Sequence, residues 1–351
     1  MLLLTLLAAC QSTLERAPGP EAAELAGAAT GTLIVPPVGS GSLGRTLRLI
    51  DLPSLRECRV PLEQDPISIA GLDGQGLIVY AFDVDAGVTL GSYVRYALDQ
   101  EKAHAKERWR LRGVDTRSRT ERELGALAGF PKVLRLAPAG GLLIAAHEPV
   151  AAGDGQPGPP SEVWCIDLVR GVRRAVAHQV GRVVRCDWRP DGSAFALTGD
   201  SGGELFDAAT LASHGLRLRG FGPFSPDGRA YLARQDDGFA LLQLEDEAVI
   251  LDEARLPWPA TRGKARERGP AEPIGLCGER LALYEALPTL GQRAESSLAR
   301  GGFAHYEHAA IKIADLEAGT YLTVLAGNES ERRPLFSPVR VAARDGQVSG
   351  R

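Results

Sequence analysis

The chain has 351 residues, 44% of them apolar, and a formal net charge of −4 at pH 7. This length allows one large repeat domain or two ordinary domains, and the apolar share is sufficient for a packed core. The small net charge argues against a nucleic-acid surface and against a strongly acidic partner surface. The 41 glycines and 23 prolines are typical of a fold with many tight turns.

The chain begins with an apolar, uncharged run, Met1 to Ala9, directly followed by Cys10. Nine residues are too few to span a bilayer, which needs about 20. The sequence Leu7-Ala8-Ala9-Cys10 resembles the lipobox of bacterial lipoprotein signal peptides. This resemblance implies that residues 1–9 are a signal peptide, that Cys10 carries the lipid, and that the protein is anchored to the outer membrane. The run lacks the usual basic residues at its start, so either the true start lies upstream or the protein is soluble with an apolar first turn.

Residues 10–31 are rich in Ala, Pro, Gly and Glu and contain almost no large apolar side chain. This composition predicts a flexible tether between the lipid and the folded body. The repeat that follows predicts a single domain over residues 32–346, with residues 347–351 as a short tail.

The repeat has two recurring parts. The first is an apolar strand that ends in Asp, a short turn and a second strand, as in LRLIDLPSLRECRVPL (47–62), VWCIDLVRGVRRAVA (163–177) and IKIADLEAGTYLTVL (311–325). The second is a pair of apolar strands joined by a turn that contains Gly. Two such turns, Pro190-Asp191-Gly192 and Pro226-Asp227-Gly228, lie 36 residues apart. Together the two parts predict a four-stranded antiparallel unit.

Repeated four-stranded units of this length are typical of a β-propeller, an all-β fold. Five units are complete in the sequence. A sixth is predicted to be composite, with residues 334–346 as its inner strands and residues 32–62 as its outer strands, so that the two chain ends close the ring. Seven blades are the alternative, if each chain end belongs to its own blade. The complete units span 66–125, 132–178, 182–218, 220–252 and 272–326.

Two sequence motifs in neighbouring units resemble a motif of the WD40-like propellers of the TolB type. They are Trp188-Arg189-Pro190-Asp191-Gly192 and Phe224-Ser225-Pro226-Asp227-Gly228. The resemblance implies a periplasmic or surface-exposed scaffold that binds other proteins. No functional residue of that family transfers to this chain, because a fold of this kind serves many functions.

Four long loops interrupt the repeat, and the order of strands in a propeller predicts that all four project from one face. Loops of this length are usually functional or disordered. The predicted binding-face residues are the aromatic, basic and imidazole side chains in or next to these loops. The basic side chains of the loop Arg255 to Glu272 have a simpler interpretation as a solvated loop. The loops are Asp83 to Arg108, His147 to Glu162, Arg255 to Glu272 and Glu285 to Ala310, and the residues are Tyr93, Tyr96, His147, Trp258, Arg262, Arg266 and Tyr306.

Two motifs that suggest enzyme chemistry have simpler interpretations. Gly199-Asp200-Ser201-Gly202-Gly203 matches the nucleophile phrase of chymotrypsin-like proteases, but only 54 residues separate His147 from Ser201. That distance is too short for the two barrels that build such a triad, so the motif is interpreted as a turn. His305 and His308 are weak candidate metal ligands, because their spacing is not supported by a third ligand.

The sequence therefore predicts a monomeric, non-catalytic module that binds a protein partner at the cell envelope and needs no cofactor. The alternative is a propeller enzyme with a metal held by His305, His308 or His147 in the depression of the loop-rich face. Four cysteines besides Cys10 lie on apolar strands, where small buried thiols are common, and are predicted to be free. They are Cys58, Cys165, Cys186 and Cys277.

Overall fold

The computed structural model describes most of the predicted propeller domain and the segment just before it. Almost all of the described regular structure is β-strand, with a single α-helix among those residues. The described residues are 20–37, 45–84, 109–127, 129–147, 159–218, 222–234, 239–246, 248–251, 271–286, 310–326 and 334–340.

The elements follow one another in a regular order. The chain starts with α1 (Pro20–Ala28), β1 (Thr32–Val35), β2 (Thr46–Asp51) and β3 (Arg56–Pro61). Blade 1 contains β4 (Ser68–Leu72), β5 (Leu77–Asp83), β6 (Trp109–Asp115) and β7 (Glu121–Ala126). Blade 2 contains β8 (Pro131–Leu136), β9 (Leu142–His147), β10 (Glu162–Asp167) and β11 (Arg173–Ala175). Blade 3 contains β12 (Val183–Trp188), β13 (Ala194–Gly199), β14 (Gly202–Asp207) and β15 (Ser213–Leu218).

The remaining strands complete three further blades. Blade 4 contains β16 (Ala230–Arg234), β17 (Phe239–Gln243) and β18 (Val249–Leu251), and a single bridge between Phe224 and Tyr231 stands where the other blades have an inner strand. Blade 5 contains β19 (Ala271–Leu276), β20 (Leu281–Ala286), β21 (Ala310–Asp315) and β22 (Tyr321–Ala326). The last strand is β23 (Leu335–Ser337).

Blade 6 is built from both ends of the chain, as the sequence predicts. Its strand order is β23-β1-β2-β3, so the C-terminal segment supplies the innermost strand and the N-terminal segment supplies the other three. The prediction assigned more than one inner strand to residues 334–346, and in the described residues β1 takes the second place instead. Thr32 pairs with Ser337, and Ile34 pairs with Leu335. The ring therefore closes through backbone hydrogen bonds, which removes a free sheet edge.

Six apolar cores, one between each pair of neighbouring blades, hold the described part of the ring together. Successive residues of a strand point to opposite faces, and here both faces are buried. Leu33 packs against blade 5, for example, whereas Ile34 packs against blade 1. The second strand of each blade is therefore a continuous apolar run and not an alternating one. The six cores confirm the all-β propeller with six blades.

One face of the ring, the turn face, carries the short connections from first to second strand and from third to fourth strand. In four blades the Asp that ends the third strand accepts hydrogen bonds from two backbone N–H groups of the following turn, as Asp115 does from Arg117 and Ser118 at 2.7 Å. The equivalent aspartates are Asp167, Asp207 and Asp315. This explains why Asp recurs at that place in the sequence.

The two turns of each blade are also tied to each other. The residue after the third strand donates its backbone N–H to the last carbonyl of the inner hairpin turn, as Ala208 does to Ser193 at 2.9 Å. Blade 6 keeps this bond although its first two strands come from opposite chain ends, because Leu52 donates to Gly31 at 3.1 Å. The chain ends thus reproduce the geometry of a continuous hairpin.

The segment before β1 corrects one prediction. Residues 10–31 were predicted to form a flexible tether, but α1 packs on β21 and β22, with Ala26 and Ala29 almost fully buried. The backbone N–H of Thr30 then donates to the carbonyl of Cys277 at 2.6 Å. The folded body therefore includes residues 20–31, and only residues 10–19 of the predicted tether lie outside the described chain.

Two contacts lie where the chain ends meet, one a tight packing contact and the other an ion pair. Gly275 of β19 lies against the ring of Phe336, so that a Cβ at this position would be 2.2 Å from Cδ1 of the ring. Asp51 accepts hydrogen bonds from Arg340 at 3.0 and 3.1 Å. Burial alone would raise the pKa of the Asp51 carboxyl, but the bonds from Arg340 and Ser54 outweigh burial and lower it.

No helix within the described ranges is both long and apolar enough to cross a bilayer.

Candidate binding face

The strand order assigns the four long loops to the face opposite the turn face, here called the loop face. Each loop joins strand ends that lie on that face: Asp83 to Trp109, His147 to Glu162, Leu251 to Ala271 and Ala286 to Ala310. Apart from Val84 and residues 159–161, the loop residues lie outside the described residues, so their role as a binding surface stays a prediction.

Most of the predicted site residues belong to these loops. Of that set only His147 falls within the described chain. The others, which lie outside the described residues, are Cys10, Tyr93, Tyr96, Trp258, Arg262, Arg266, His305, Tyr306 and His308.

His147 is the last residue of β9 and lies where blade 2 meets the loop face. Only 6% of its surface is exposed, and Nδ1 lies 3.2 Å from the carbonyl oxygen of Phe130. This contact fits a neutral ring that donates from Nδ1–H. Burial lowers the pKa of His147, although the Phe130 carbonyl and the facing Glu162 act to raise it. His147 thus behaves as a buried structural histidine, and the geometry gives no support to its use as a metal ligand.

We expect His147 to make the fold acid-sensitive. Because its folded pKa is below the unfolded value of about 6.5, the unfolded chain takes up a proton first as the pH falls, and the free energy of unfolding decreases below that pH. His147→Gln keeps a donor for the Phe130 carbonyl but does not titrate. The wild-type free energy of unfolding should therefore fall more steeply than that of the variant between pH 7.5 and pH 5. The free energy of unfolding of both proteins is measured by urea titration at the two pH values. An equal decrease for the wild type and the variant would contradict this assignment.

The motif at residues 199–203 is a hairpin turn between β13 and β14, as predicted. Gly199 pairs with Gly202, and Gly202 has a positive φ of 111°. The hydroxyl of Ser201 lies 3.3 Å from Oδ1 of Asp200, which also accepts the backbone N–H of Arg182 at 3.0 Å. Within the described ranges no histidine contacts this hydroxyl, so the turn holds no catalytic pair in that part of the chain.

The central channel contains a polar contact that the sequence analysis missed. Arg185, on the inner strand of blade 3, donates from Nη1 to the carbonyl of Pro273 on the inner strand of blade 5 at 2.8 Å. Asp187 holds the same guanidinium through Nε and through Nη2, the latter at 3.0 Å. The contact passes the intervening blade 4, so it links inner strands that are not neighbours. No sequence signal indicated it, because the two partners are 88 residues apart.

A second polar cluster joins blades 6 and 1. The phenol of Tyr80 donates to Glu121 at 2.6 Å, and the other Glu121 oxygen accepts the backbone N–H of Glu63 at 2.7 Å. Arg112 lies 3.4 Å from Glu121 and also pairs with Glu63. Burial, and then the bond to Glu121, raise the pKa of Tyr80. The Glu121 carboxylate and the Tyr80 phenol are satisfied within the cluster, whereas Nε of Arg112 is buried without a hydrogen-bond partner among the described residues. The cluster is a structural link between blades.

The thiols and carboxylates of the described chain form no metal site. No group of three or more His, Cys, Asp or Glu side chains in those ranges is arranged to hold a metal ion. The four described cysteines are free thiols, and burial raises the pKa of Cys277 to about 12. A buried thiol of this kind is inert, because the thiolate is the reactive form.

These features define the class of the protein as a six-bladed β-propeller with a regular turn face and an irregular loop face. Its sequence matches no protein-family model and no curated protein sequence.

The fold is similar to TolB from Acinetobacter baumannii, with 14% sequence identity and a TM-score of 0.52. The match covers 88% of this chain and 66% of that chain, and it establishes a shared fold only. Weaker likenesses are found to hydrazine synthase from Kuenenia stuttgartiensis (14% identity, 82% of this chain and 74% of that one, TM-score 0.45) and to an oligogalacturonate lyase in complex with manganese (14%, 69% and 68%, TM-score 0.47). Neither of these two supports a conclusion about function.

Proposed function

We propose that this protein is a non-catalytic propeller that binds or scaffolds a protein partner at the cell envelope, anchored to the outer membrane by a lipid on Cys10. The observation that carries the proposal is the difference between the two faces. On the turn face, short turns are bonded to one another in every blade. On the loop face, long segments join the strand ends, and binding sites commonly lie on such loops held by a rigid scaffold.

The fold shared with TolB supports the choice of a propeller scaffold and nothing finer. The proposed location at the outer membrane rests on the lipobox-like sequence Leu7-Ala8-Ala9-Cys10. Cys10→Ser, expressed from a start that supplies a full signal peptide, should move the protein from the membrane fraction to the soluble fraction. Unchanged fractionation would reject the lipid anchor without affecting the proposed binding role.

The binding role is tested by comparing the two faces in one experiment. Detergent-solubilised membranes are cross-linked, and proteins captured by the wild-type chain are compared with those captured by two variants. One variant replaces residues 287–309 with a short Gly-Ser linker. The other, Val169→Ser, changes a turn-face side chain that is 84% exposed. A partner lost by the first variant and kept by the second is the expected result, and the reverse pattern would overturn the proposal.

Metal analysis addresses the enzymatic alternative. Stoichiometric zinc or calcium in the purified protein, lost on His305→Ala, would favour a metal-assisted site. The buried and hydrogen-bonded state of His147 does not favour it.

A further inference from the structure

Blade 5 contains a lysine whose surroundings are unusual for a charged side chain. Lys312, in the middle of β21, exposes only 7% of its surface. Its Nζ lies 4.0 Å from the centroid of the Tyr321 ring. Among the described residues no carboxylate forms an ion pair with it, although buried charges in proteins are normally paired. Because an aromatic ring carries no net charge, the positive charge of the Lys312 ammonium is not neutralised by a described residue.

The strand register shows where Lys312 points. Its neighbours Ile311 and Ile313 pack in the core between blades 5 and 6, so Lys312 and Ala314 face the other way, toward blade 4. On this face Lys312 lies between Tyr284 of β20 and Thr323 of β22. The ammonium therefore lies on the flank of the ring, in the space between blades 4 and 5.

This space is only partly covered by blade 4. The outer strand of blade 4, β18, has three residues, whereas β22 of blade 5 has six. As a result Tyr321 is 46% exposed and Thr323 is exposed, although Tyr284 below them is fully buried. The Lys312 ammonium thus lies beneath the partly exposed Tyr321 and the exposed Thr323, in a recess between the two blades with hydroxyl groups beside the charge.

The electrostatics of the recess fit an anion. Burial lowers the pKa of Lys312, and among the described residues no neighbouring charge opposes this effect. Burial raises the pKa of Tyr284, and the nearby Tyr321 raises it further, so the Tyr284 phenol keeps its proton at neutral pH. An ammonium and neutral hydroxyl groups are all hydrogen-bond donors. One positive charge surrounded by neutral donors matches the single negative charge and the two acceptor oxygens of a carboxylate.

We propose that Lys312, Tyr321 and Thr323 form a binding site for a small carboxylate ligand on the flank of the ring, between blades 4 and 5. Lys312 supplies the charge, Tyr321 orients the ammonium and offers its ring to an apolar or aromatic group of the ligand, and Thr323 donates a hydrogen bond. The site lies on the flank of the ring, although Lys312 is only two residues from Ala310, where β21 begins at the loop face. None of its three residues belongs to the long loops, so failure of this site would not by itself contradict the proposed partner-binding role.

The test uses the full chain, with benzoate as the probe. The chain has five lysines, so labelling them with ¹³C at Cε gives few NMR signals, and Lys312→Met identifies the one from Lys312. Sodium benzoate should shift the Lys312 signal in a saturable manner and raise its pKa, because the bound carboxylate stabilises the charged form. Benzamide, which has the same shape without the charge, should leave the signal unchanged.

Matched variants separate the site from general effects of the added anion. Tyr321→Leu keeps the ammonium but removes the ring, and a cation–π contact of this kind corresponds to roughly a fivefold loss of benzoate affinity. Thr323→Val should weaken binding as well. Lys132→Met, at an exposed lysine of β8, should leave the benzoate titration unchanged. Tyr321→Leu and Thr323→Val keep the test decisive even if Lys312→Met fails to fold.

Three outcomes would overturn the proposal. The first is the absence of a saturable shift of the Lys312 signal. The second is an equal response to benzoate, phosphate and chloride, which would mark an adventitious ion only. The third is a Lys312 pKa at or above the ordinary 10.5 in the ligand-free protein, which would show that a carboxylate of the chain itself already fills the recess.

Discussion

Gly275→Ala is expected to lower the free energy of unfolding by about 2–3 kcal/mol, the cost typical of overpacking a dense core. The added Cβ would lie 2.2 Å from Cδ1 and 2.4 Å from Cγ of Phe336. Gly275 has no positive φ, so the cost is steric and not conformational. Because Phe336 belongs to β23, the methyl group would push the closing strand away from β19. Urea unfolding followed by tryptophan fluorescence measures the effect.

A double-mutant cycle identifies the closing strand as the cause. Phe336→Ala alone should cost about 2 kcal/mol, less than a fully buried Phe because the side chain is only half-buried. The double variant Gly275→Ala/Phe336→Ala should cost clearly less than the sum of the two single costs, because the contacts to Cδ1 and Cγ disappear with the ring and only the Cβ of residue 336, 2.7 Å from the added methyl group, remains. Additive costs would show that the two residues do not interact.

The matched control is a Gly→Ala substitution at a position where the added methyl group meets no other atom. Gly27 lies in α1, is exposed, and has no atom within 4 Å of a Cβ built on it. Gly27→Ala should therefore be neutral or stabilise the protein by up to about 1 kcal/mol, because Gly is a poor residue in a helix. A loss of stability at Gly27 equal to that at Gly275 would contradict the steric explanation.

Ring closure depends on contacts between the two chain ends that act together. The pairing of Thr32 with Ser337 and the Asp51–Arg340 pair join the two ends. The backbone bond from Leu52 to Gly31 lies beside them, within the N-terminal segment. Arg340 is 58% exposed on its side chain, and an ion pair with an exposed partner contributes little by itself. The packing of Phe336 on Gly275 is therefore the larger contribution to ring closure.

The fold could be predicted because its signals are local in the sequence. Asp115 and Asp207 order the turns that follow them directly, and the apolar runs of the second strands are continuous because both faces of each blade are buried. Helix α1 was missed for the opposite reason. Its sequence, PEAAELAGA, has good helix formers but no strong apolar stripe, and the burial of Ala26 and Ala29 depends on β21 and β22, which lie about 300 residues further on.

The polar sites were harder to predict, because their partners lie in other blades. Arg185 and Pro273 meet only when the ring is closed, and no spacing rule connects them. Lys312 stands in an apolar strand, and the exposure of its neighbours Tyr321 and Thr323 depends on the short β18 of the neighbouring blade. The sequence placed His147 at the start of a long loop, whereas it is the last residue of β9, and its contact with Phe130 follows from the register between β8 and β9.

The second large effect is expected in the turn at residues 199–203, where Gly199→Ala should lower the free energy of unfolding by about 3 kcal/mol. A Cβ on residue 199 would lie 2.2 Å from the carbonyl oxygen of Val180 and 2.7 Å from that of Arg182. These are backbone atoms, and hydrogen bonds from Ser201 to Val180 at 3.1 Å and from Arg182 to Asp200 at 3.0 Å hold the segment in place. The segment therefore cannot move aside cheaply.

Ser201→Ala in the same turn is the matched comparison. Ser201 is exposed, and its hydroxyl makes one contact at 3.3 Å to the neighbouring Asp200, so its removal should change the free energy of unfolding by less than about 0.5 kcal/mol. If the motif is a turn, a fluorophosphonate probe should label neither the wild-type protein nor the variant. Labelling of the wild type that is lost in Ser201→Ala would identify a nucleophilic serine. A large cost of Gly199→Ala, together with a neutral effect of Ser201→Ala and no labelling of Ser201, would show that the motif serves close packing of the backbone and not chemistry.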